Sequence, residues 1–106
     1  MKFIPVVLLV LLSAGYIRAE DVPAEHTGFH KDATMVMEKM GAEMKAMKST
    51  GHADKDFAAM MISHHQGAID MSEAYLKYGR DEEMRKMAAK MIEDQKKEIH
   101  RMKAKL

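Results

Sequence analysis

The chain has 106 residues, 17 basic and 16 acidic side chains, no cysteine and 13 methionines. That length bounds it to one small domain, and the near balance of charge gives no support to a nucleic-acid or anionic-membrane function. Without cysteine, disulfides are excluded as the staple of so small a core.

Met1-Lys2, the apolar run Phe3 to Leu12 and the small-residue region ending Ile17-Arg18-Ala19 read as a secretory signal, residues 1–19, cleaved after Ala19. The run is short for a membrane span, and an uncleaved anchor is the competing reading. Cleavage leaves 15 basic against 16 acidic residues from Glu20 onward, and an expected periplasmic or secreted location. In that part 12 methionines stand against eight leucine, isoleucine and valine residues combined. Methionine replaces leucine readily as core filler, but leucine specifies a better-defined core. The excess therefore points to sulfur itself, a soft ligand suited to Cu(I).

Residues 20–31 carry Pro23, Gly28 and little periodicity, and read as a flexible lead-in. His26 and His30 are four apart and would face together in a helix. The Met/His-rich domain is expected over residues 32–106. Its first helix runs from about Asp32, as N-cap, to Lys48, with Val36, Met37, Met40, Met44 and Met47 on one ridge and Met35 opposite. Gly41 within it suggests a close helix approach. Ser49 to Ala53 is a turn around Gly51, with His52 a surface residue.

The second helix starts at Asp54 or Asp56 and ends at Gly79. On a wheel of 100° per residue, Phe57, Met60, Met61, His64, Gly67, Ala68, Met71, Tyr75 and Tyr78 share one side, and Gln66 and Asp70 lie on the other. The third helix follows Arg80-Asp81, its inner side reading Met84, Met87, Ala88, Met91, Gln95, Glu98, Ile99 and Met102. Glu82 with Lys86 and Glu93 with Lys97 form solvated pairs, and His100 points outward. Gln95 and Glu98 break the apolar rule of their stripe, and a carboxylate there needs a partner or must reach solvent.

Antiparallel turns about Gly79 and Gly51 put Gln95 opposite His64, Met40 near Ile62 and His64, and Met44 near Phe57 and Met61, to within about one helical turn. Met60 with His64, and Met61 with His65, are four apart, the spacing at which two helix side chains meet one ion. The expected first ligand set is His64, Met60 and a sulfur from Met40 or Met44; a second, looser set uses His65 and Met61. Mixed thioether and imidazole ligation favours Cu(I), with Ag(I) as its mimic, and Gln95 or Glu98 would accept the other ring N–H. Ligation needs neutral imidazole, so affinity should fall below about pH 6.

Enzymatic readings lack their residues. There is no Glu-x-x-His for a di-iron bundle and no His-Glu-x-x-His for a hydrolytic zinc; Ser63 falls on the wrong side of its helix and Ser72 near its edge. The chain is therefore expected not to be an enzyme. The rival to metal binding is a Met-rich interaction module that grips a partner helix or self-associates.

Asp54-x-Asp56-Phe57-x-x-Met60-Met61-x-x-His64-His65-Gln66-Gly67-Ala68-Ile69-x-Met71, followed by Gln95-x-x-Glu98-Ile99-x-x-Met102, closely resembles the domain-of-unknown-function family 305, which includes periplasmic CopM-like copper-binding proteins. The resemblance covers about Met37 to Leu106. It implies an all-α, ferritin-like helical bundle and an exported protein that binds Cu(I) and Ag(I) in copper tolerance, exchanging metal with donor or acceptor proteins. By position it implies Met40, Met44, Met60, Met61, His64, His65 and Met71 as ligands. Three helices are evident where such a bundle has four, so a fourth element or a homodimer is expected to complete it.

Overall fold

The computed structural model describes Arg18 and residues 21–106; the signal read over residues 1–19 lies, Arg18 apart, outside the described residues. Three helices account for the fold: α1, Ala24–Ala46; α2, Ala53–Tyr78; and α3, Glu82–Lys103. The protein is an all-α bundle with short connections, and no described helix is long and apolar enough to cross a membrane.

The first helix starts eight residues before the expected Asp32, which takes residues 24–31 out of the lead-in. Pro23 at the N-cap supplies a φ of −54°, suited to a helix entrance. The extra turns are held by packing that propensity does not reveal. Phe29 meets Tyr75 edge to face at 6.3 Å, and a Cβ on Gly28 would lie 2.4 Å from the Tyr78 ring. Asp32 lies within the helix instead of capping it, with Lys77 at 3.5 Å. A Cβ on Gly41 would meet nothing within 4 Å; the close approaches between helices are at Gly28 and at Gly67, where a Cβ would lie 2.8 Å from Sδ of Met40.

The loop from Met47 to His52 turns at Gly51, whose φ of +80° favours glycine. The carboxylate of Asp56 folds back on this turn and accepts from the Thr50 N–H at 2.9 Å and from the hydroxyls of Thr50 and Ser49. These bonds, the backbone one foremost, hold its carboxyl below the usual range. At the other connection α2 ends on Gly79, and Asp81 caps α3 by accepting from the Met84 N–H at 2.7 Å. Arg85 ties the hairpin together by donating to the carbonyls of Leu76 and Gly79.

Helix α2 is central, and its two neighbours pack their backbones against it and not against each other. Met40 and Glu43 of α1 meet Gly67 and Ser63 on one side; Met91 and Glu98 of α3 meet Ser72 and His65 on the other. Those two sides of α2 lie roughly 180° apart on the wheel. The helices therefore form a layer, and the arc of α2 expected to be innermost lies in the groove between its neighbours. Its middle is open: Phe57 is 62% exposed and Met60 45%, and His64 is exposed. The buried residues sit on its flanks at Ala58, Ser63, Gly67, Ile69, Ser72 and Ala74. Ser63, read as lying on the wrong side of its helix for a nucleophile, is buried and donates to Glu43 at 2.7 Å. On α3 the same rotation buries Ala88 and Ile99 and leaves Met84, Met87 and Met91 exposed.

Candidate metal centre

The best-formed constellation stands where α2 meets α3. Phe57, Met61 and His65 succeed one another at four-residue steps along α2, and Glu98 and Met102 do the same on antiparallel α3, so the two rows face across one cleft. Arg101 and Lys105 complete its rim. The cleft thus holds two thioethers, an imidazole and a carboxylate.

His65 fixes its chemistry. The ring is 11% exposed, and its Nε2 lies 2.5 Å from Oε2 of Glu98, whose side chain is 45% exposed. A carboxylate accepts, so Nε2 carries the proton and donates, and in the neutral ring Nδ1 is then a bare lone pair. Nδ1 is buried and has no hydrogen-bond partner. Buried polar nitrogens are nearly always satisfied, and one left open on a residue that shares a cleft with two methionines suits a soft ion. A carboxylate that takes the far N–H of a ligating histidine sets its tautomer and raises its basicity. Oε1 of Gln95, one turn before Glu98, is a second buried atom without a partner.

The other expected ligands are distributed differently. Met44 and Met60 line one cleft together with Met47, next to the Thr50–Asp56 turn. Met40 packs on Gly67, on the α1 side of α2. His64 and Met71 lie on the open arc, and His64 lines neither of these two clefts. Of the expected set of His64, Met60 and a sulfur from Met40 or Met44, Met60 and Met44 share a cleft, and Met40 packs on Gly67, one turn along α2 from the exposed His64. The looser set of His65 and Met61 is brought together, with Glu98 and Met102 added.

Met102 and Met47 are the donors that spacing alone did not single out. The available signal for Met102 is Glu98-x-x-x-Met102, which repeats on α3 the step of Met61-x-x-x-His65. Among the described residues no three of His, Cys, Asp and Glu gather as a metal cluster; besides His65 and Glu98, the soft donors lining this cleft are the thioethers of Met61 and Met102. Hard-cation sites built from oxygen ligands do not fit this donor set.

No curated protein matches the chain. The family model described as Domain of unknown function (DUF305) matches residues 12–106, and the chain belongs to that family.

Proposed function

We propose that the protein is an exported, CopM-like Cu(I)- and Ag(I)-binding protein that sequesters the ion or hands it on, and catalyses no reaction. The observation that carries this reading is the buried, unpartnered Nδ1 of His65, in a ring held through Nε2 by Glu98, on a residue that lines one cleft with Met61 and Met102. Two thioethers and one imidazole are soft, low-coordinate ligation, which suits a monovalent d¹⁰ ion better than zinc or magnesium. Met44, Met47 and Met60 supply a second cleft at the other side of α2, with three thioethers and no histidine, a weaker trap for the same ions. Export to the periplasm rests on the signal read in residues 1–19.

Anaerobic titration with Cu(I) against a chelator of known affinity tests this. The wild-type chain should compete for at least one equivalent, and His65→Ala should weaken that binding by about 100-fold or more, at or beyond the upper end of what losing an outer partner costs. His100→Ala, on the exposed side of α3, should leave it within about threefold. Equal losses in the two variants would contradict the assignment. No competition by the wild-type chain would favour the interaction module, for which the exposed methionines of α3 speak.

A further inference from the structure

Domains bury their helices between two layers, and this chain supplies one. Its two faces differ sharply. On α2, no Asp, Glu, Lys or Arg falls within about 60° of His64 from Ala53 to Tyr78. The same face receives Met37 and Met44 from α1 and Met84, Met87 and Met91 from α3, by the phase that the contacts at Gly67 and Ser72 impose. The opposite face is wet: Lys55, Glu73 and Lys77 lie there, with Gln66 donating to Asp70 at 2.9 Å and Lys77 beside Asp32. No described side chain of any size reaches complete burial, while Met37, Phe57, Met60, Met84, Met87 and Met91 are all exposed.

We propose that this open face docks a second copy of the chain, making a two-fold dimer of two three-helix layers. The area suffices. Helices of 23, 26 and 22 residues, at about 1.5 Å per residue and 8–10 Å apart, present roughly 35 by 25 Å, on the order of 900 Å². A stable interface needs about 800 Å² per partner. A two-fold contact requires a surface complementary to itself, and flexible, uncharged methionines meet that requirement with little geometric demand. A lone amphipathic helix from another protein would cover one groove of this face and leave the other bare. A second copy covers both. Burial of the face places His64, Met60 and Met71 inside the dimer, out of water.

The proposal does not depend on metal, so its test is run on the metal-free full chain. Sedimentation equilibrium should give a species of twice the 12.0 kDa chain mass. Met37→Glu combined with Met87→Glu, both at exposed positions, should weaken the dimer by about 100-fold or more, because each copy then buries two unpaired carboxylates. Glu73→Lys on the wet face should change the dimer constant by less than about threefold. Far-UV circular dichroism confirms that the variants keep their helices. A monomer throughout the concentration range overturns the proposal, whether its face is bare or covered by its own residues 1–20. A dimer that survives the paired glutamates but breaks with Glu73→Lys overturns it as well.

Discussion

Glu98 shows how far a single position can be understood from sequence. Its place on an otherwise apolar stripe demands a partner, and the expectation that it accepts a histidine N–H matches the 2.5 Å contact to Nε2 of His65. Which histidine it meets is not legible. His64 and His65 are adjacent and about 100° apart on the wheel, so the choice depends on where α3 sits, a fact of packing and not of spacing. Expecting α1 and α3 to converge over one stripe selects His64; their docking on opposite sides of α2 selects His65. Replacing Glu98 by Gln should weaken Cu(I) binding by about 10- to 100-fold, since the neutral amide no longer supports the ring as an anion does. The same competition titration reads it. His64→Ala should lose less than His65→Ala.

At the scale of elements, type and number are legible and extents are less so. The methionine ridge, the Gly51 turn, the Gly79 stop and the acidic start of α3 all follow from local chemistry. The first eight residues of α1 do not, because Gly28 and Phe29 are recruited by Tyr78 and Tyr75 from the far end of α2. The two helical glycines of α1 therefore predict opposite outcomes. Gly41→Ala meets no neighbour and should stabilise by about 1 kcal/mol, raising Tm by roughly 4–8 °C. Gly28→Ala drives a methyl into the Tyr78 ring and should lower Tm, with α1 fraying at its start; thermal melts followed by circular dichroism separate the two. At the first turn, Asp56 has a folded pKa below its ordinary 3.8. Its stabilisation is therefore present above that ordinary value and is lost as pH falls through the lower, folded one. Asp56→Ala should lower Tm at neutral pH, and the gap to wild type should narrow in acid below the ordinary value. A gap that stays constant with pH would mean that the carboxylate does not hold the turn.

For the whole molecule, the register estimated from the turns misses by about one helical turn at both connections. It sets Gln95 opposite His64, where Glu98 meets His65, and Met40 near Ile62 and His64, where Met40 meets Gly67. Loop residues between a helix end and its turn glycine take up that difference, and their number is not encoded in periodicity. An error of this size leaves the fold class untouched yet redistributes the donors, which is why the bundle is more legible than its site. Heating a Cu(I)-loaded sample should show this at the level of stability: metal that holds α2 to α3 raises Tm in wild type and not in His65→Ala. Silver marks the position of a soft-ion site directly. In an anomalous difference map from a crystal soaked with Ag(I), the strongest peak is predicted between Nδ1 of His65 and the sulfurs of Met61 and Met102; silver dispersed over outer methionines, with that nitrogen left without a ligand, would contradict it.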